Sequence, residues 1–264
     1  MDTASFDIPP TELAQSLGRA VGPCVLDVRR APAYAQSGRL LPLAWRVPPD
    51  EIEQWASRHT PRTVVVYCVH GHEVSAQAVQ QLRDKGWDAY RLQGGINAWL
   101  ALGLPSLCQC PQWGVGADTP SRWITRARPL IDRVACPWLI RRFVDRQARF
   151  FYVPADEVFA LAQQHQAVAF DLPGAPLAHV GERCSFDALL AVLNLHSPAL
   201  ERLALIVRGA DTAALHRAPE SAGLLAVSRG LGLVHADDQA LLDAACPLYD
   251  ALYAQLQAQT GALA

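Results

Sequence analysis

The sequence has no apolar run near the roughly 18 residues a membrane span requires, which argues against a membrane partner. It has no phosphate-cradling or dinucleotide glycine fingerprint, so no nucleotide cofactor is expected, and it shows no internal repeat or low-complexity tract. The opening MDTASFDIPP is acidic and proline-bearing where a secretory leader would be basic and then apolar, so the expected location is cytoplasmic. Charge of one sign is also missing. Formal net charge is −2, and residues 1–120 hold 10 basic against 11 acidic residues, the remainder 13 against 14, so neither half is a basic body and nucleic acid is a disfavoured partner. Lys85 is the single lysine, a compositional habit to which no function is assigned. The seven cysteines (24, 68, 108, 110, 136, 184, 246) are odd in number and scattered, which excludes a dense disulfide framework and leaves some of them free to act as thiols.

What is present is apolar material enough for two cores, 51% of 264 residues, a length that suits two domains. VLDVR (25–29) and TVVVYC (63–68) are short valine-rich runs of the kind buried on both faces of a parallel sheet. Between them DEIEQWASRH reads as a helix, with Asp50 a plausible N-cap. VSAQAVQQLRDKG places Val74, Ala78 and Leu82 on one helical face and stops at Gly86; DAYRLQ is a further strand and INAWLALG a further helix. The βαβαβα order implies right-handed crossovers and a parallel sheet covered by helices.

From Leu104 to Ser121 the periodicity lapses, giving domains at 1–105 and 122–264 with a linker at 106–121. The second half is mainly helical, with helical spacing at 132–145, 156–165, 185–195, 198–208, 220–230 and 237–258 and a small β element at FFYV (150–153) and AVAFDL (167–172). Pro137 would sit in a first turn, so that helix is expected to begin near Cys136, leaving Asp132 and Arg133 outside it and free to face a site. Adjacent Arg141 and Arg142 point to different faces. Cys136 is read as packed.

Cys68 closes a strand and precedes a short loop, VHGHE, and a helix. The carboxyl ends of parallel strands face the ligand crevice. Loop N–H groups and the positive end of the next helix would lower a thiol pKa there and bind anions, although a buried small hydrophobe is the alternative reading.

Residues 7–105 resemble the rhodanese family of sulfurtransferases through VLDVR, YCVHGHEVS (67–75) and GGINAW (94–99). The resemblance implies an enzyme: Cys68 as the nucleophile that accepts a sulfane sulfur as a persulfide and passes it to a thiol acceptor, with the backbone amides of Val69, His70, Gly71, His72, Glu73 and Val74 holding the negative charge. The loop departs from the family pattern. Glu73 and Val74 stand where ordinary rhodaneses carry arginine or threonine, and Ser75 comes one position late, so the loop is one residue longer and would admit a larger tetrahedral anion. The longer loop is nearer to that of the related dual-specificity phosphatases and arsenate reductases, but the phosphatase arginine is absent too, which argues against phosphoester hydrolysis. His70 and His72 bracket the loop mouth, and either one tunes Cys68 or both belong to a solvated turn.

In the second half, LAHVGERCSFD (177–187) gathers His179, Glu182, Cys184 and Asp187, ligand chemistry for a divalent transition metal of unspecified identity. His179 and Glu182, three apart, can face one point, with Asp211 beyond Gly209 as a third ligand and Cys184 as a soft fourth. The alternative is a metal-free polar network that includes Arg208. Asp237 or Asp238 reads as an N-cap. The blocks RARPLIDRVACPWLIRRF, HVGERCSFD, IVRGAD and YDALYA resemble the chromate resistance protein family over residues 122–258, which implies a role in chromate tolerance.

The expected fold is therefore α/β: a rhodanese-like parallel sheet flanked by helices, then a mainly α-helical second domain with a small β element. The leading functional reading is a sulfurtransferase fused to a metal- or oxyanion-binding chromate resistance domain, whose ligands would be a small sulfur donor or oxyanion. A non-catalytic chromate-responsive sensor is the alternative. A third reading has Cys108 and Cys110 reduce an intermediate formed on Cys68. Oligomeric state is left open.

Overall fold

Valine-rich segments with no polar face can be satisfied only between two layers, and the computed structural model, which describes residues 6–260, places them there. The first unit opens with strand β1 (Asp7–Ile8), helix α1 (Pro10–Ala14), β2 (Cys24–Asp27), α2 (Ala31–Ser37), β3 (Arg39–Leu40) and β4 (Ala44–Arg46). It continues with α3 (Ile52–Arg58), β5 (Thr63–Tyr67), α4 (Glu73–Asp84), β6 (Asp88–Leu92), α5 (Gly95–Ala101) and β7 (Leu107–Cys108). Its main sheet runs β1-β6-β5-β2-β4 with every pairing parallel. Val64, Val65, Val66 and Tyr67 of β5 have no exposed surface, as a central strand covered on both faces requires. Trp45, Trp55 and Trp87 pack with Val64 and Val66 in one core.

Two local readings differ from expectation. Asp50 does not cap α3: it lies in a 3₁₀ turn, Pro49–Glu51, because two prolines tighten the entry before the α-helix begins at Ile52. Within the stretch of lapsed periodicity, Leu107–Cys108 pairs antiparallel with β3, a two-residue ribbon too short to show a period. Gly86, with φ +82°, does follow α4 as a stop signal.

The second unit holds Gln112–Val115 and the described chain from Pro120 onward. Its sheet is small, β10-β8-β9, all parallel, from β8 (Arg122–Arg126), β9 (Arg149–Val153) and β10 (Val168–Ala169). The helices are α6 (Asp132–Leu139), α7 (Val158–His165), α8 (Ser185–Leu193), α9 (Pro198–Asp211), α10 (Glu220–Val234) and α11 (Asp238–Gln259). β8 escapes a periodicity search because RWITR mixes arginines into a five-residue strand.

Helix α6 begins at Asp132 rather than near Cys136, with Pro137 in its interior. The ring removes one backbone donor, and a π-turn over Ile140–Val144 follows. Helix α9 runs through Gly209 to Asp211, so the glycine is not a stop. It is a packing position, where a Cβ would lie 2.4 Å from Ser221 Oγ. Asp237 caps α11 by accepting from Ala240 N–H at 2.7 Å. Arg141 and Arg142 reach different carboxylates of α11, Asp243 at 2.8 Å and Asp250 at 2.7 Å. No helix among the described residues is long and apolar enough to cross a membrane.

Candidate active site and a second polar cluster

In the first unit, β5 delivers Cys68 to the carboxyl edge of the sheet, and the turn into α4 wraps around its sulfur. The thiol is largely buried, 6% exposed. Burial alone would push its pKa up. Ser75 Oγ at 3.2 Å and the backbone N–H groups of Ser75, His72 and His70 outweigh that and hold it below the usual thiol range. The two histidines thus reach the sulfur through main-chain N–H. The His70 imidazole is paired with Asn97 Nδ2 at 3.2 Å. His72 precedes α4, and its carbonyl, 3.1 Å from Ser75 Oγ, takes the single hydroxyl proton when Cys68 is a thiol and gives it up to the sulfur when Cys68 is a thiolate. Glu73 is exposed at the first position of α4, and Val74 packs on the core.

The loop is shaped from behind by the glycine pair Gly94–Gly95 and by its own Gly71. A Cβ on Gly95 (φ +59°) would stand 2.4 Å from Cys68 O and 2.7 Å from Gly71 N. One on Gly71 (φ +68°) would stand 2.6 Å from Leu92 O. Without side chains the two segments close, and Ile96 N–H and Asn97 N–H donate to the carbonyls of Cys68 and Val69 at 3.0 and 3.1 Å. That is the physical content of GG-x-x-x-W: the tryptophan, Trp99, anchors α5 through Nε1 to Pro105 O, and the glycines admit the cysteine loop.

VLDVR has an equivalent role beside it. Buried Asp27 accepts from Arg29 N–H, Nε and Nη2 and from Tyr67 O–H at 2.9 Å, a closed network tying β2 to the strand end just before Cys68. Leaving either charge alone in that interior would be costly, so the pair is retained together.

Four other thiols, Cys110, Cys136, Cys184 and Cys246, are shifted the opposite way from Cys68. Burial pushes Cys136 and Cys184 well up, with the Asp132 charge adding to both. Cys246 and Cys110 are also raised, chiefly by burial. All seven are free.

In the second unit the predicted ligand set separates. His179 Nε2 lies 3.1 Å from Asp132 Oδ2, 3.3 Å from Asp171 Oδ1 and 3.2 Å from Asp211 Oδ2. Glu182 is not in this cluster: its carboxylate is exposed and paired with Arg217 at 2.7 Å. Cys184 is not in it either, because its backbone N–H and thiol cap α8 against Asp187 Oδ2 at 3.0 and 3.5 Å. The i, i+3 argument fails because residues 180–183 form a small bridged turn, Val180 with Arg183, instead of a helical one. Arg208 belongs to Asp187, at 2.9 and 2.5 Å, and not to the His179 network.

Asp132 and Asp171 complete the cluster. Asp132 enters because α6 starts one turn earlier than expected, launched from Ile131 at φ 40°, ψ −98°. Buried Tyr249 steadies that turn by donating to Ile131 O at 3.0 Å. Asp171, at φ +57°, follows β10 at the carboxyl end of a parallel strand, the position that could have flagged it in the sequence. Its Oδ2 accepts from Arg126 Nη2 at 2.9 Å and forms an ion pair with Arg133 Nε at 3.1 Å. The hydrogen bond to Asp132 raises His179 to about 9, against the effect of burial. Burial, followed by the neighbouring Asp132 charge, pushes Asp211 up to about 7.

Comparison with known proteins places both halves. Residues 9–102 match the model of the rhodanese-like domain, and residues 123–256 match that of the ChrB C-terminal domain. Protein ChrB of Cupriavidus metallidurans is 34% identical over 192 residues, 69% of this chain and 53% of that protein, so the chain spans about half the length of this curated relative. Among solved structures, a full-length protein from Lactobacillus plantarum is 26% identical over 39% of this chain and 88% of its own, with a TM-score of 0.37. A thiosulfate sulfurtransferase from Pseudomonas aeruginosa is 32% identical over 40% of this chain and 20% of its own, with a TM-score of 0.34. With more than half of its length matched by that one model, the chain belongs to the ChrB C-terminal domain family and carries a rhodanese-like domain ahead of it.

Proposed function

We propose that the protein is a sulfurtransferase acting through a persulfide on Cys68, in the service of chromate tolerance. The observation that carries the chemistry is the sulfur's surroundings: the Ser75 hydroxyl stands 3.2 Å away, and with the loop N–H groups of Ser75, His72 and His70 it lowers the pKa of a thiol that burial alone would keep neutral. The Cys68 thiolate attacks the outer sulfur of a small sulfane donor; the S–S bond of the donor breaks and its remaining fragment leaves with the bonding pair. The persulfide anion so formed extends into the loop mouth, where the α4 N-terminus and loop N–H groups favour negative charge. An acceptor thiolate then takes the outer sulfur, and Cys68 leaves as the thiolate. Kinship with ChrB supports the physiological setting. Seven cysteines with no disulfide among them support a reducing compartment, the cytoplasm.

The test is sulfur transfer by the full chain and by Cys68→Ser, with intact-mass analysis after exposure to thiosulfate or a low-molecular-weight persulfide. The wild type should gain the mass of one sulfur atom and lose it to an added thiol; Cys68→Ser should do neither. No sulfur on the wild type, with any donor, would overturn the reading and leave the non-catalytic sensor.

A further inference from the structure

Four side chains from four segments of the second unit meet at the carboxyl edge of its sheet: Asp132 opening α6, Asp171 after β10, His179 on the segment leading to α8, and Asp211 ending α9. Three carboxylate oxygens stand 3.1–3.3 Å from His179 Nε2. A ring nitrogen carries at most one N–H, which cannot serve three acceptors at that range. The spacing is instead that of neighbours in a coordination shell: with metal–ligand bonds of about 2.0–2.2 Å, adjacent ligand atoms fall roughly 2.8–3.6 Å apart. The ligand atoms of Asp132, His179 and Asp211 all lie within 4.8 Å of one another.

Charge points the same way. Arg126 and Arg133 neutralise Asp171 through Oδ2, while Ser185 Oγ donates to Oδ1 at 3.1 Å, so this carboxylate is held from behind. Among the described residues, His179 is the one cationic side chain within ion-pair distance of Asp132 or Asp211. Two half-buried to buried carboxylates therefore share a single imidazolium. A divalent cation bound by a neutral imidazole and two carboxylates removes the excess charge.

We propose that Asp132, His179 and Asp211 bind one first-row divalent cation, with the arginine-anchored Asp171 carboxylate bordering the site beside His179. The set holds oxygen and nitrogen but no sulfur, which suits Mn²⁺ or Zn²⁺ and excludes a thiophilic ion such as Cu⁺. His179 is 42% exposed at its side chain, so the cation is open to solvent on that side and keeps a position for water or a small anion. The site stands apart from the Cys68 chemistry, and its failure would leave that reading untouched.

The experiment uses the full chain, stripped with a chelator and then freed of it, titrated with Mn²⁺ under electron paramagnetic resonance. Mn²⁺ is the probe because it ignores the seven thiols. One Mn²⁺ should bind per chain and be displaced by Zn²⁺. Asp211→Asn and His179→Ala, each confirmed as folded by circular dichroism, should weaken binding by roughly tenfold or more, while Glu182→Gln and Cys184→Ser leave it unchanged. In the wild type, Mn²⁺ should also protect His179 from acylation by diethyl pyrocarbonate, a readout that needs no variant. Failure of the wild type to bind either ion, undiminished binding in both folded variants, or no protection of His179 would overturn the proposal.

Discussion

Removing the Ser75 hydroxyl isolates one of the four donors on the Cys68 sulfur. Ser75 is fully buried, and its Oγ lies 3.2 Å from the sulfur and 3.1 Å from His72 O, so it is fixed where it is needed. In Ser75→Ala the N–H groups of Ser75, His72 and His70 remain. A hydrogen bond to a charged group contributes about 1.5–3 kcal/mol, and sulfur is a weak acceptor, so about 1.4 kcal/mol of thiolate stabilisation is a fair figure, or about one pKa unit. The assay is the pH dependence of iodoacetamide labelling at Cys68, followed by peptide mass spectrometry. The inflection should move up by about one unit, and labelling below it should slow by about tenfold. An inflection that stays in place, or moves down, would refute the claim that this hydroxyl holds the thiolate.

Because the folded Cys68 pKa lies below that of an unfolded thiol, its thiolate contributes stability in full above about pH 9, and the contribution is lost as pH falls through the folded value. Cys68→Ser should thus cost more stability at pH 9.5 than at pH 6 by urea titration; equal costs would contradict the lowered pKa. Gly95→Ala, forced to φ +59° with a Cβ 2.4 Å from Cys68 O, should destabilise the first unit by about 2 kcal/mol or more and slow Cys68 labelling, which melting and alkylation together would check. Glu73→Arg should raise turnover of thiosulfate, a dianion, by placing a cation at the loop mouth; unchanged or lower turnover would mean the loop serves a different donor. Asp187→Ala removes both the acceptor that completes the α8 capping box and the partner of Arg208, and should lower second-unit stability by about 2–4 kcal/mol in denaturant unfolding.

The sequence by itself determined the parallel sheet of the first unit and the position of Cys68, because both are local signals. Valine runs buried on two faces, a helix start and a glycine stop each depend on neighbours a few residues away. It also determined most helix spans of the second unit by 3.6-residue spacing. Only the tertiary structure decided the polar cluster. Asp132, Asp171, His179 and Asp211 are separated by up to 79 positions in the chain, and no spacing rule relates them. Their meeting depends on a three-stranded sheet of two- and five-residue strands, and on a turn at Ile131 secured by a tyrosine from the last helix. Glu182 and Cys184 stand nearer to His179 in the chain and yet face elsewhere, because a bridged turn and a helix cap claim them first. Periodicity reports which face a residue takes within one element; convergence of three carboxylates and an imidazole from four segments is set by how the elements pack.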